Sequence, residues 1–239
     1  MKSGGQRNYT IAYDTNLYST YWVAYPLNSS HMGALERPDS WTYDLSEGAP
    51  DKKYQVDMTK TYTTNDNNNG HSRGHLIPNA SRNGNKDMQE QTFYFPNSAP
   101  QIQNGFNGGI WQQLEAALQS IGQKEEIYIV TGTTLNKVGE NKSITYTSSK
   151  SDTSKSIPVP NYFYKVVLKV EKNGSAVSSA KAIGFWFENK AHSNSNYADY
   201  AVSVDLIEQW TGLDFFVNLP DTIESGAENN TSWTSFQSF

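Results

Sequence analysis

Two long apolar stretches with a turn signal between them are the feature that most constrains the fold. The stretches cover residues 162–170 and 176–187, and Lys172-Asn173-Gly174 lies between them. A tight hairpin turn needs residues that tolerate a positive φ, and Asn-Gly between apolar stretches is a strong local signal for one. Strands joined by so short a turn run antiparallel. The chain is therefore predicted to contain an antiparallel β-sheet.

Further strands and one clear helix surround this hairpin. Alternating side chains predict a strand at residues 21–26, and a short apolar run predicts another at Ile127–Thr131. Apolar residues at helical spacing predict a helix over Asn107–Ile121, with Asn107 as its N-cap and Gly122 just beyond its end. The predicted buried face of this helix consists of Ile110, Trp111, Leu114, Ala117, Leu118 and Ile121.

A second helix and two polar loops complete the predicted elements. The second helix is expected to stop at Gly212, because glycine favours the left-handed conformation that ends many helices. Its apolar face consists of Val204, Ile207 and Trp210. Residues 28–70 and 137–155 are polar and irregular in pattern, which is typical of loops.

These elements fit one domain of the α/β or α+β class, because no second domain is indicated within the 239 residues. The domain is predicted to span residues 8–220. The extensions at 1–7 and 221–239 are expected to be loose.

The segment from Gly70 to Glu115 contains residue types that phosphodiester chemistry requires. His75 can accept a proton from water near neutral pH. Arg73 can bind a phosphate through its planar guanidinium. Asn107 offers a neutral oxygen to a hard divalent cation. The segment is therefore the candidate site for cleavage of a phosphate ester.

These residues belong to an ordered set that points to a known family. The set is Arg73-Gly74-His75, Thr92-Phe93, Asn97-Ser98-Ala99-Pro100-Gln101, Asn107, Trp111 and Leu114-Glu115. Its order resembles the DNA/RNA non-specific endonucleases of the ββα-metal class, also called His-Me finger nucleases. Their pattern reads D-R-G-H, T-F, N-x-x-P-Q, then N and W before L-E. The short R-G-H sequence alone would be a weak signal, whereas the ordered set is specific, and the resemblance extends from about Trp22 to Pro220.

Together with the hairpin, the resemblance implies the α+β class and the ββα-metal fold, with a central antiparallel sheet flanked by helices. It also implies a sugar-non-specific endonuclease that leaves 5′-phosphate and 3′-hydroxyl ends on DNA and RNA. His75 would be the general base, and Arg37 and Arg73 would bind the phosphate oxygens. Asn107 would hold Mg²⁺, with Mn²⁺ able to substitute. Glu115 would hold a metal-bound water.

Several of these residues also have simpler interpretations. Arg37 is the best match to a family arginine before a tryptophan, but a surface arginine would look the same. Asn107 can be only a helix cap, and Glu115 can face either the cleft or solvent. Asn97 is expected to orient the histidine or the adjacent loop.

Two positions depart from the family pattern. Ser72 stands where the family has an aspartate, which is expected to anchor the arginine or the turn by hydrogen bonds. Serine can accept such a bond but carries no charge. Gln119 stands where many members have an arginine. We expect the departure at Ser72 to have a modest effect on positioning and to alter the level of activity rather than its type.

The remaining histidines do not point to a second chemistry. His31, His71 and His192 lie in polar surroundings and are predicted to be surface residues. A zinc site is not expected, because no second histidine or cysteine has ligand spacing. The chain has no cysteine, which excludes disulfides and thiolate metal sites.

The overall charge leaves alternative functions open. A formal net charge of −5 is evidence against a generic nucleic-acid binder, although a metal ion and a few arginines can make a local positive cleft. The alternatives are a phosphodiesterase for small nucleotides and a non-catalytic relative that binds nucleic acid or protein. No run approaches the ~18 apolar residues of a membrane span. The chain as given shows no signal peptide, and the resemblance leads us to expect a secreted or periplasmic enzyme.

Overall fold

The computed structural model describes residues 1–38, 40–66 and 69–239. Asp39, Asn67 and Asn68, which belong to the loop predicted at 28–70, lie outside the described residues.

Strands and helices are distributed along the whole described chain. The strands are β1 Lys2–Ser3, β2 Gln6–Arg7, β3 Thr10–Asp14, β4 Ser19–Leu27, β5 Asn65–Asp66, β6 Asn69–His75, β7 Ser98–Ile102, β8 Ile127–Thr134, β9 Tyr146–Thr147, β10 Ile157–Pro158, β11 Tyr162–Asn173, β12 Ala176–Glu188 and β13 Ala201–Val202. The helices are α1 Lys86–Gln91, α2 Gln112–Gly122, α3 Val204–Thr211, α4 Asp221–Glu228 and α5 Trp233–Gln237.

A six-stranded antiparallel sheet forms the centre of the molecule, as predicted. Its strand order is β13-β12-β11-β8-β4-β3. The predicted hairpin is the pair β11 and β12, and Gly174 at its turn has a φ of +65°. The predicted end of α3 is also confirmed, because Gly212 adopts a φ of +70° there.

Helices cover both faces of this sheet. One face packs against α2, whose buried Leu114 and Leu118 join a core that contains Phe163 and Val167 of β11. The opposite face carries the intervening side chains of β11 together with residues of α3 and α4. The apolar members on that face are Tyr162, Tyr164, Val166, Leu168, Val204, Ile207 and Ala227. Side chains alternate between faces along a strand, so β11 separates two cores.

The helix predicted over Asn107–Ile121 begins later than expected. The regular helix α2 starts at Gln112. The preceding segment, Gln103–Trp111, has wide π-type turns that are interrupted by non-helical backbone, and Gly105 within it has a φ of +77°. The N-cap expectation for Asn107 is therefore wrong. Gly122 is part of α2 rather than a residue beyond it, and a Cβ there would lie 2.8 Å from the Leu27 side chain.

The two terminal segments pack against the domain instead of extending loosely. Trp233 and Phe236 of α5 are buried and join the core that contains α2. The Met1 amino group donates a hydrogen bond to the Tyr9 carbonyl at 2.8 Å. The domain boundaries at residues 8 and 220 stay a prediction.

A small antiparallel sheet of β5, β6 and β7 positions the R-G-H residues. His75 pairs with Ser98, and Arg73 pairs with Pro100. Between them, a Cβ on Gly74 would lie only 2.2 Å from the Gln101 side chain. Glycine is therefore required at this position by close packing between the strands.

Candidate active site

Six of the residues selected from the sequence line one cavity of about 580 Å³. They are Arg37, Ser72, Arg73, His75, Asn107 and Glu115. The cavity lies between β6, the irregular segment before α2, and α2 itself. Gln119 also lines it, and its amide donates a hydrogen bond to the Ser81 hydroxyl at 3.2 Å.

His75 ends β6, and its ring packs against two aromatic rings. The ring centroids of Trp41 and Phe93 lie 4.5 Å and 4.9 Å from that of His75. Its Nε2 atom has no hydrogen-bond partner among the described residues. Burial first, and then the positive charges of Arg37 and Arg73, lower the pKa of His75 to about 3. The imidazole is therefore neutral near pH 7, and its Nε2 lone pair is available as a base.

The two arginines at the cavity are held differently. Nη1 of Arg73 donates hydrogen bonds to the backbone carbonyls of Met58 and Thr59, each at 2.7 Å, and the guanidinium lies 5.2 Å from the Trp41 ring centroid. Arg37 is exposed, and its guanidinium lies 5.0 Å from the centroid of the Phe93 ring. Arg73 is thus fixed in place, whereas Arg37, as far as the described residues show, is supported by its aromatic contact with Phe93.

Asn107 is oriented by two side chains. Its Nδ2 donates hydrogen bonds to the Ser72 hydroxyl and to Oε1 of Gln103, both at 3.0 Å. Both amide hydrogens are then used, and Oδ1 accepts no hydrogen bond from any residue that the structure describes. A neutral oxygen presented in this way fits a hard cation such as Mg²⁺. The Ser72 hydroxyl, which stands at the position of the family's aspartate, accepts from Asn107 and also donates to the Gln101 carbonyl on β7 at 3.1 Å.

Glu115 faces the cavity rather than bulk solvent, with its side chain 15% exposed. Its Oε1 lies 3.5 Å from Nζ of Lys165, a fully buried lysine that also donates to the Thr131 hydroxyl at 2.8 Å. Burial raises the pKa of Glu115, and the charge of Lys165 opposes that shift. Burial likewise lowers the pKa of Lys165 to about 8. The carboxylate therefore keeps a buried cationic partner behind it.

Asn97 does not line the cavity but holds the chain just after His75. It is fully buried, its Oδ1 accepts from the Ile77 amide at 3.0 Å, and its Nδ2 donates to the carbonyls of Ile77 and Thr92. Of the two roles expected for Asn97, this geometry corresponds to support of the loop.

The other histidines lie outside this cavity. His31 is buried rather than exposed, and burial lowers its pKa to about 4. His71 lies on β6 and lines a different cavity, where its Nδ1 is 2.5 Å from the Thr64 hydroxyl. His192 is half-buried against Phe106 and Phe187.

Three residues at the site were not selected from the sequence. Trp41 contacts both His75 and Arg73, Gln103 orients Asn107, and Lys165 pairs with Glu115. Lys165 could have been selected from the sequence, because a lysine in the middle of an apolar strand is expected to be buried beside a polar or acidic partner. Nothing comparable marks Gln103, whose contact depends on the irregular backbone before α2.

Comparison with known proteins identifies the family. The model of the DNA/RNA non-specific endonuclease family matches residues 3–222. The chain belongs to this family. It is accordingly an enzyme of the endonuclease class, as the ordered motif predicted.

Named relatives and a solved structure agree with this assignment. A nuclease of Nostoc sp. is 27% identical over 231 residues, which is 94% of this chain and 76% of that protein. Mitochondrial endonuclease G of Caenorhabditis elegans is 26% identical over 231 residues, or 92% of this chain and 71% of that protein. A nuclease of Serratia marcescens is 27% identical over 238 residues, which is 95% of this chain and 82% of that protein.

The fold is also similar to that of a solved nuclease. A crystal structure of the EndoG/EndoGI complex matches with a TM-score of 0.70 at 20% identity, covering 90% of this chain and 85% of that chain. This similarity confirms the α+β ββα-metal fold with its central antiparallel sheet.

The family is one of metal-dependent nucleases, and one acidic cluster of the described residues can hold a metal ion. That cluster is Asp205, Glu208 and Glu228, none of which lines the cavity with His75. Several relatives are named as mitochondrial, so the family alone does not fix the compartment, and a secreted or periplasmic location stays a prediction. No helix in the described part of the chain is long and apolar enough to cross a membrane.

Proposed function

We propose that this protein hydrolyses phosphodiester bonds of DNA and RNA without regard to the sugar, with His75 as the general base and Mg²⁺ held through Asn107. One observation carries the proposal. Two arginines line the same cavity as a neutral His75 and Asn107. Among the described residues, Nε2 of His75 and Oδ1 of Asn107 have no hydrogen-bond partner.

His75 would take a proton from the attacking water. His75 lines a cavity wide enough for water and a phosphate, its buried Nε2 has no hydrogen-bond partner among the described residues, and the lowered pKa keeps the ring unprotonated. A positioned base contributes about 10²–10⁴-fold to such a reaction. Because the water attacks phosphorus and the 3′ oxygen leaves, the products would carry 5′-phosphate and 3′-hydroxyl ends.

The charged side chains would stabilise the phosphate as negative charge builds on its oxygens. Nε and Nη2 of Arg73 would bind the phosphate, because among the described residues only Nη1 donates hydrogen bonds, to two backbone carbonyls. A bound Mg²⁺ would neutralise charge on the phosphate and on the leaving oxygen. Asn107 is a neutral ligand and leaves the full charge of the ion for the substrate. Glu115 would accept a hydrogen bond from water on the ion.

Local charge also supports nucleic acid as the substrate despite the acidic chain. Arg37 and Arg73 place two positive charges at the cavity, whereas Glu115 is partly neutralised by Lys165. The net charge of −5 therefore does not describe the surface that a phosphate would meet.

A direct assay separates this function from its alternatives. Supercoiled plasmid and a structured RNA would each be incubated with the protein in Mg²⁺ or in EDTA. We expect internal cleavage of both substrates in Mg²⁺ and none in EDTA. Cleavage of dinucleotides alone would indicate a small-nucleotide phosphodiesterase, and binding without cleavage would indicate a non-catalytic relative.

Replacing Arg73 with alanine is expected to lower kcat by about 10²–10³-fold, the effect of removing a fixed donor to a developing charge. Arg37→Ala should have a smaller effect, because Arg37 is exposed and less constrained. Both changes should lower kcat more than they raise KM. Steady-state kinetics on a defined oligonucleotide would measure this, and an effect confined to KM would reassign either residue to phosphate anchoring.

The pH profile should reflect the lowered pKa of His75. The base acts when unprotonated, so kcat/KM rises with pH through the pKa of the free enzyme and is flat above it. An unperturbed histidine would give a rise near pH ~6.5, whereas burial and the two arginines move the rise to lower pH. Arg37→Ala should shift the rise back upward, and Arg37→Lys should not. A rise centred above pH ~7 in the unaltered enzyme would contradict this environment for His75.

A further inference from the structure

We propose that a divalent cation of the calcium type binds between α3 and α4, on the face of the central sheet opposite to the active-site cavity. The ligands would be carboxylate oxygens of Asp205, Glu208 and Glu228. The bound ion would fasten the C-terminal helices to the sheet and would take no part in hydrolysis.

The three carboxylates converge from two helices. Asp205 and Glu208 are one turn apart on α3, and Glu228 ends α4. One oxygen of each residue lies within 4.8 Å of the corresponding oxygens of the other two. Ca²⁺ binds oxygen at about 2.3–2.6 Å, so two of its ligands can be at most about 5 Å apart. The observed spacing therefore suits three ligands of one ion.

Glu228 supplies the observation that distinguishes this cluster from an ordinary acidic surface. The residue is only 5% exposed, and its Oε1 is buried with no hydrogen-bond partner among the described residues. Oε1 of Glu224, one turn earlier on α4, is likewise buried and has no hydrogen-bond partner among the described residues. A buried carboxylate oxygen without a donor is costly, and a cation can satisfy it.

In the part of the chain that the structure describes, no positively charged side chain forms an ion pair with these carboxylates. None of the ion pairs formed by the described residues includes Asp205, Glu208, Glu224 or Glu228. Asp214, in the loop between the helices, adds to the negative field. The cluster thus offers a divalent ion carboxylate oxygens that no cationic side chain of the described residues already binds.

The donor set favours calcium over other ions. Ca²⁺ accepts six to eight oxygen ligands in flexible geometry, whereas Mg²⁺ usually binds one or two carboxylates and keeps several waters. Zinc prefers nitrogen and sulfur donors, and the cluster offers only oxygen. One ligand is already oriented, because Oε1 of Glu208 accepts the Phe215 amide at 2.7 Å.

The location separates this site from catalysis. Val204, Ile207 and Ala227, on the same two helices, pack on the face of the sheet that carries Tyr164. Glu115 lies on α2, which covers the other face. An ion at the cluster would therefore act on stability, through the contact of α4 with β12.

Thermal unfolding with Ca²⁺ tests the proposal independently of nuclease activity. The full chain would first be freed of metal with EDTA, and the melting temperature would be followed during CaCl₂ addition. A rise on the order of 5–10 °C is expected at a hundredfold excess over Kd. MgCl₂ at equal concentration should produce a smaller rise. Absence of any rise with CaCl₂ would overturn the proposal.

Matched variants locate the response. Glu228→Gln and Asp205→Asn preserve side-chain shape and should each abolish the Ca²⁺-dependent rise, whereas Glu47→Gln, at an exposed position outside the cluster, should retain it. The Asn107→Ala protein should also retain the rise. If Asn107→Ala loses the response, or if Glu228→Gln and Asp205→Asn both keep it, the ion binds elsewhere and the proposed site is wrong.

Discussion

Replacing His75 with alanine is expected to reduce plasmid cleavage by about 10²–10⁴-fold, the usual contribution of a general base. Among the described residues, His75 is the one histidine that lines the cavity with Arg73 and Asn107, and its Nε2 has no hydrogen-bond partner there. The rate would be measured on supercoiled DNA in saturating Mg²⁺. Loss of the ring also leaves a gap beside Trp41 and Phe93, so the melting temperature of the variant must be measured in parallel.

His71→Ala is the matched control for this experiment. His71 lies on the same strand, but it lines a different cavity. We expect His71→Ala to keep cleavage within a few-fold of the unaltered enzyme. Near-normal cleavage by a folded His75→Ala protein would remove His75 from the mechanism.

Asn107→Ala is expected to weaken Mg²⁺ binding and nearly abolish cleavage. The substitution removes Oδ1, which is the atom left free when Nδ2 bonds Ser72 and Gln103. The protein should still fold, because Asn107 is not the cap of α2 and the lost hydrogen bonds are worth only about 0.5–1.5 kcal/mol each. Calorimetric titration with Mg²⁺ and the cleavage rate would be measured on the same preparation.

Two further variants define what Asn107 contributes. Asn107→Asp keeps an oxygen but adds charge, so metal should bind while the positive field on the phosphate falls. Asn104→Ala, an exposed neighbour in the same irregular segment, should leave both measurements unchanged. If Asn107→Ala lowers only thermal stability and Mg²⁺-dependent cleavage persists, the metal site lies elsewhere.

The sequence determined the features that depend on local conformation and on residue order. Asn173-Gly174 places the hairpin of β11 and β12, and Gly212 ends α3, because both glycines take positive φ angles that other residues resist. The motif from Arg73 to Glu115 identified the family, because the residue types that the reaction requires follow one another in the order typical of that family.

Only the tertiary structure decided how the site is assembled. Ile110 and Trp111 continue the apolar spacing of α2, but they belong to the irregular segment that carries Asn107. Apolar spacing reflects which residues are buried rather than the backbone conformation, so it did not predict this segment. Lys165 pairs with Glu115, and Glu228 approaches α3, although these residues are far apart in the chain. Gln103 supports Asn107 within a segment of irregular backbone. Such contacts depend on the packing of helices on the sheet and on the path of irregular backbone, neither of which a local pattern of residues contains.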